Sequence, residues 1–289
     1  MALKKEEWIA LEKKASCLRQ LTLDTCNWAG SAHMGGSLSS IDFLTLLYHK
    51  YLKFDPADYE NEDRDRCVVS KGHIGVALAA LFADMGLIEM EELKTFNLTN
   101  SKLGIHLDSN KVKGLDTSTG SLGHGSSMAL GMTLAARVRG KNYKTWLLLG
   151  DGECDEGSVW EAAMATANYN ATDLITVVDR NKAMIDGLTE DVMKLEPFAD
   201  KWRAFGFEVL EVDGHHLNKL SDAMEKAMNA TEKPVCIILD TIKGEGISFM
   251  AGDYKWHYGA MDDEQYKIAT EDLKNYEAGR IARAEREAE

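Results

Sequence analysis

Residues 145–157 read TWLLLGDGECDEG, and residues 174–187 read LITVVDRNKAMIDG. Each opens with a short apolar run that ends in turn-forming and polar residues, the pattern of a buried strand. The first run breaks at Gly150-Asp151-Gly152 and the second at Asp179-Arg180-Asn181. A helix-length segment separates them. Strand, helix, strand in that order requires a crossover, so the two strands are expected to lie parallel. Ligands of such sheets bind beyond the carboxyl ends of the strands, where these polar residues fall.

The same alternation extends outward. FEVLEV (207–212) and VCIILD (235–240) are two more apolar runs, the second ending at Asp240-Thr241-Ile242-Lys243-Gly244. Upstream, Arg66 to Ser70 predicts a short strand that turns at Lys71-Gly72-His73 into an Ala/Leu-rich helix reaching about Gly86. The fold class is therefore α/β, a mostly parallel sheet with helices on both faces. Trp8, Leu11, Ala15, Leu18 and Thr22 recur at helical spacing, which predicts an amphipathic helix over 5–28 closed by Gly30. SAHMGGSLSS (31–40) reads as a small-residue loop. Ser39 or Ser40 with Asp42 then starts a second helix carrying Phe43, Leu44, Leu47 and Tyr48. Residues 100–125 read as a long Gly/Ser-rich loop, a length usually kept for function, leading into an apolar helix over 126–138. A polar C-terminal helix over 262–289 sets Tyr266, Ala269, Leu273 and Tyr276 on one face, as a capping or docking element. No linker or internal repeat divides the chain, so a single domain over 1–289 is expected.

Composition narrows the function. The net charge of -14 argues against nucleic acid, whose binding depends on Lys and Arg neutralising phosphates. The 45% hydrophobic content supports a full core. Five cysteines without a CxxC pair read as reduced core thiols. No signal peptide or membrane-length apolar run is visible, so a cytoplasmic protein is expected.

Asp151 and Asn181 stand thirty positions apart on the tips of neighbouring strands. Alone, Asp151 would be a helix cap and Asn181 a turn residue. Together they offer a carboxylate and an amide oxygen to one cleft, as Mg²⁺ requires when phosphates and waters complete its octahedron. Gly150 and Gly152 let the backbone approach a diphosphate closely.

This segment resembles the thiamine diphosphate motif, Gly-Asp-Gly followed about thirty residues later by Asn. Its Asn-Lys-x-x-Ile-Asp-Gly ending resembles transketolases in particular. The likeness covers nearly the whole chain. Ser31-Ala32-His33-Met34-Gly35 resembles the family's Ser-Gly-His-Pro-Gly loop, and Ser70-Lys71-Gly72-His73 its Ser-x-Gly-His. Thr119-Gly120-Ser121-Leu122-Gly123-His124-Gly125 resembles Thr-Gly-Pro-Leu-Gly-Gln-Gly. Lys243-Gly244-Glu245-Gly246 and Trp256-His257 resemble the end of the diphosphate domain. Ala32, Met34, Ser121 and His124 depart from the family pattern, and none of them is a metal ligand.

The resemblance implies thiamine diphosphate and Mg²⁺ as cofactors. It implies Asp151, Asn181 and the Ala183 carbonyl as metal ligands. Cofactor contacts would come from His73, Gly120, Ser121, Leu122, Gly150, Asp151, Gly152, Glu153, Glu156, Asn181, Ile185, Lys243 and His257. His33, His73, His106 and His257 would be the catalytic histidines that bond sugar hydroxyls and move protons. Glu156 and Glu161 would face a neighbouring subunit. His49, His215 and His216 carry no motif and read as exposed or structural. The family's pyrimidine-contacting glutamate belongs to a second domain, so a separate pyrimidine-binding partner chain in an α2β2 heterotetramer is expected, acting on sugar phosphates. The α-subunit of a 2-oxo acid dehydrogenase shares Gly-Asp-Gly and Asn but usually lacks the Ile-Asp-Gly tail. A non-catalytic cofactor-binding protein and a phosphate-binding domain unrelated to thiamine are two further readings of these residues.

Overall fold

The structure is a computed structural model and describes residues 3–288. Met1, Ala2 and Glu289, the ends of the expected 1–289 domain and 262–289 helix, lie outside the described residues. Among the described residues five strands form one sheet: β1 (Arg66–Val69), β2 (Thr145–Gly150), β3 (Leu174–Arg180), β4 (Glu208–Asp213) and β5 (Val235–Asp240). Their order is β1-β2-β3-β5-β4, and every pairing is parallel. Thr145 pairs with Leu174 and Gly150 with Asp179, so the tips of β2 and β3 are level.

Alternate residues of the strands feed two apolar layers. Trp146, Leu148, Ile175, Val177, Ile237 and Leu239 pack under α1 (Lys5–Ala29), α2 (Met34–Leu38), α3 (Ile41–Leu46) and α4 (Gly75–Asp84). Leu147, Leu149, Val178, Cys236 and Ile238 face α5 (His124–Val138), α6 (Gly157–Asn168) and, beyond the short α7 (Thr189–Val192), α8 (Phe198–Ala204). The first layer is completed by α9 (Leu217–Met228) and α10 (Asp263–Glu287).

Residues 31–40 differ from the expected loop. Met34–Leu38 forms a buried helical turn, in which the Ser37 hydroxyl donates to the His33 carbonyl at 2.6 Å. Buried backbone groups have no water to bond, so pairing them outweighs the poor helix propensity of Gly35 and Gly36. Ser40 stands at the start of α3 but does not cap it; its hydroxyl donates back to Gly36 O at 2.9 Å. Leu47 and Tyr48 fall in a π-helical turn, Leu47–Tyr51. α5 begins at His124, two residues before the expected start. Four of the five thiols are buried, and Cys17 is exposed.

Asp42 stands in the first turn of α3, as expected, and is in addition a buried ion. Its carboxylate meets Arg19 at 2.6 Å, Arg280 at 2.8 Å and His215 Nδ1 at 2.8 Å. Arg280 also pairs with Glu12. α10 is thus fastened to α1 and α3 by ions as well as by Ala269, Leu273 and Ala284. His215 is buried and structural: its Nε2 accepts from Ile242 N at 2.9 Å, one residue before Lys243. No helix among the described residues is long and apolar enough to cross a membrane.

Candidate active site

A cavity of about 260 Å³ opens at the carboxyl ends of β2 and β3. The first-layer loops bring His33, His73 and His257 to it, and the turns after β2, β3 and β5 bring Asp151, Asn181 and Lys243. Gly120, Leu122, Gly150, Gly152, Glu153, Ala183 and Ile185 complete the expected residues in its lining. Ser121 and Glu156 are exposed outside it, and so is Glu161. His106 is also outside the lining, with its ring 6.3 Å from that of His33.

Asp151 is buried at the mouth of the turn. Its Oδ1 accepts from Gly152 N at 2.8 Å, and its Oδ2 from Lys182 N at 2.6 Å and Arg180 Nη1 at 3.1 Å. Burial, then the charge of Asp179, pushes its carboxyl above the ordinary range despite Arg180. Asp179 itself accepts from Lys71 Nζ at 2.5 Å, Ser39 Oγ at 2.7 Å, Asn181 Nδ2 at 2.8 Å and the Thr241 hydroxyl. Burial opposes its charge, but the Lys71 ammonium and these donors outweigh that and hold the carboxyl below the usual range.

Glu153 is buried with both oxygens occupied. Ser70 Oγ and Gly123 N (2.8 Å) donate to one oxygen, and Gly150 N (3.0 Å) to the other. It ties the tips of β1 and β2 to the loop before α5, so the expected cofactor residue is also a clamp on the cavity wall.

The histidines form one cluster. His33 lies 5.1 Å from His73 and 5.2 Å from His257, ring to ring, and His73 lies 5.1 Å from His257. Burial lowers every one of them. His33 falls to about 4, helped by His106 and Lys243, and His257 to about 3, helped by Lys243 and His33. His73 is lowered strongly by burial and by Lys71, and His106 by burial alone. All four are neutral at pH 7, each offering one N–H donor and one acceptor nitrogen.

Lys243 Nζ donates to Ala183 O at 2.9 Å, Met184 O at 3.1 Å and His257 Nδ1 at 3.0 Å. An ammonium only donates, so the ring proton of His257 belongs on Nε2. Burial lowers Lys243 to about 8, which leaves it charged at neutral pH. His33 Nδ1 is buried with no partner among the described residues, a group that a ligand would satisfy. Two ammonium groups, a patch of carbonyl and carboxylate oxygens and a wall of neutral imidazoles therefore surround one cavity. Such a site can hold an anion, a hard cation and a hydroxyl-rich carbonyl compound side by side.

The chain matches the model of the transketolase thiamine diphosphate binding domain over residues 11–277. It belongs to the transketolase family. It is 42% identical over 269 residues to the 6-deoxy-6-sulfo-D-fructose transketolase subunit SqwG of Clostridium sp. (strain MSTE9), covering 93% of this chain and 98% of that protein. An apulose-4-phosphate transketolase subunit of Phocaeicola vulgatus is 38% identical over 277 residues, covering 96% of this chain and 97% of that one. Human transketolase is 32% identical over 249 residues, 86% of this chain but 39% of its own length. The crystal structure of transketolase from Campylobacter jejuni superposes with a TM-score of 0.85 at 30% identity, over 94% of this chain and 45% of that one. The parallel sheet and its two helical layers are those of transketolase diphosphate-binding domains.

Within this transketolase-family site, sequence reading singled out neither Lys71, Gly36 nor Met184, all of which line the cavity. Lys71 left no signal in its local sequence, because the carboxylate that lets its ammonium be buried, Asp179, lies 108 positions away. Met184 left none, since only the folded turn brings it against Gly152.

Proposed function

We propose that this chain is the diphosphate-domain subunit of a two-chain, cytoplasmic transketolase. It would transfer a two-carbon ketol unit from a ketose to an aldose with thiamine diphosphate and Mg²⁺, and act with a pyrimidine-domain partner in an α2β2 assembly. The whole of 1–289 is read as one diphosphate-binding domain.

One observation carries the reading: Asp151, Asn181 and the Ala183 carbonyl line the same cavity as Lys243 and three of the four histidines. The donor set fits the cofactor. Carboxylate, amide and carbonyl oxygens are hard ligands suited to Mg²⁺, and two buried ammonium groups suit a diphosphate. Leu122, Met184 and Ile185 give an apolar wall for the rings. Asp151, Asn181 and Ala183 would hold the metal, and Gly152 and Lys243 the diphosphate. Thiamine diphosphate, when bound, supplies the electron sink for the two-carbon fragment.

This chain's residues orient the sugar and handle its protons. His257, with its proton on Nε2, would donate to the ketose carbonyl oxygen. His33, His73 and His106 would each donate to or accept from a sugar hydroxyl without becoming charged beforehand. The two split-enzyme relatives act, by their names, on a sulfonated and a phosphorylated sugar. We extend to this chain a ketose bearing a terminal anionic group. The free thiols fit a reducing compartment.

The experiment is reconstitution with the partner chain. The pair is offered 6-deoxy-6-sulfofructose, apulose 4-phosphate, xylulose 5-phosphate and, separately, pyruvate as donors, with an aldose phosphate as acceptor. Appearance of a carbonyl product two carbons shorter than the donor supports the reading. Consumption of pyruvate alone would establish the 2-oxo acid reading instead.

A further inference from the structure

We propose that Tyr258, paired with Ser31, is a specificity-determining contact for the hydroxyl-bearing chain of the sugar. The inference rests on the ketol-transfer reading. Two loops meet at this point. Ala32 and Gly259 exchange both backbone hydrogen bonds at 3.1 Å as an isolated antiparallel bridge. Antiparallel pairing of these two residues sets His33 opposite Tyr258. Their rings meet edge-on, 4.8 Å apart. His33 lines the cavity, and Tyr258 packs on it from outside that lining, toward solvent.

The chemistry of the pair matches a polyol. Ser31 Oγ and Tyr258 Oη are 2.7 Å apart. Each hydroxyl brings one donor and two acceptor lone pairs. Their mutual bond uses one hydrogen, which leaves one donor and several lone pairs unspent. Tyr258 is 40% exposed, so those groups are accessible. A sugar whose carbonyl sits among the four imidazoles must run its remaining carbons outward, and a pentose or hexose chain is longer than an imidazole ring is wide. Its distal hydroxyls then reach the Ser31–Tyr258 pair. The backbone bridge holds that pair in place before any sugar arrives, so little ordering cost falls on binding.

The test uses the pair reconstituted with its partner chain and the best ketose of the panel above. Tyr258→Phe keeps the ring and its packing on His33 but removes the hydroxyl. Ser31→Ala removes the other member. Each is expected to raise the KM of the sugar about five-fold, the worth of one hydrogen bond. The kcat should stay within about two-fold, and calorimetric affinity for thiamine diphosphate with Mg²⁺ should be unchanged. An unchanged sugar KM in both variants overturns the inference while leaving the ketol-transfer reading intact. A fall in kcat together with the thermal midpoint makes the pair structural and also overturns it. If the wild-type pair consumes no ketose at all, the underlying reading fails and the inference falls with it.

Discussion

The Asp179 carboxylate accepts the Asn181 side-chain N–H at 2.8 Å, and this contact decides which atom Asn181 turns toward Ala183. A carboxylate can only accept. The amide nitrogen must therefore face Asp179, and the amide oxygen turns the other way, where it accepts Ala183 N at 3.2 Å. The oxygen donor on the tip of β3 is thus set by a residue two positions upstream. Lys71 balances the charge of that residue inside the fold.

Breaking and replacing that pair should have separable effects. Asp179→Ala leaves the Lys71 ammonium buried without its counter-charge, and is expected to lower stability in urea unfolding by about 3–5 kcal/mol. The double variant Lys71→Met, Asp179→Leu removes both charges and should recover most of that loss. Calorimetry on the double variant should still find weakened Mg²⁺-dependent binding of thiamine diphosphate, because the carboxylate that orients Asn181 and one of the two ammonium groups lining the cavity are both gone. Wild-type affinity there would contradict the orienting role.

Asp151→Ala and Asn181→Ala should each abolish Mg²⁺-dependent cofactor binding in the reconstituted pair. Circular dichroism should show the fold retained, since Arg180 keeps Glu190 and Glu196 as partners when Asp151 is lost. Undiminished affinity in either variant would place the metal elsewhere.

The histidine cluster predicts a pH dependence of stability. Folded-state values of about 4 for His33 and about 3 for His257 lie below the ordinary 6.5. Between those values and 6.5 the unfolded chain binds more protons than the folded one. Stability therefore rises with pH across that window and falls on acidification through it. The thermal midpoint of the wild type should drop between pH 6.5 and 4.5. It should drop less in a variant carrying His33→Gln and His257→Gln. Equal slopes would show that the imidazoles are not held neutral.

Gly72 packs against the loop that carries Gly120 and Leu122. A Cβ there would lie 2.5 Å from Thr119 Oγ1 and 2.6 Å from Thr119 O. Backbone atoms cannot yield as a flexible side chain does, so Gly72→Ala should cost about 1–3 kcal/mol. It should also weaken cofactor binding by moving His73. Urea titration and calorimetry read the two effects.

The strands and the histidine-bearing turns were legible because both follow short-range rules. An apolar run bounded by Gly-Asp-Gly is readable as a strand tip, and Ser-Lys-Gly-His as a turn from strand to helix. Residues 31–40 were not legible as a helix, because their order comes from burial, which local propensity does not report. The place of Asp42 at a helix start is legible, but its ion partners are not, because Arg19, Arg280 and His215 arrive from three distant segments. The partners of Asp179 come from positions 39, 71, 181 and 241, a set that no spacing rule connects. Most of the residues that line the cavity are legible one by one, while the groups that hold them in place are not.

The ion cluster around Arg280 ties α10 to α1 and α3 and, through His215, to the turn after β5. Trimming α10 before Arg280 would leave Glu12 to Trp8 Nε1 and Asp42 to Arg19 and His215. His215 also grips the peptide next to Lys243. Proteolytic loss of α10 would thus be felt as slackness at Lys243 in the cavity wall. A chain shortened there would not survive as a slightly smaller catalyst, because its tail is the keystone of the arch beneath the active site.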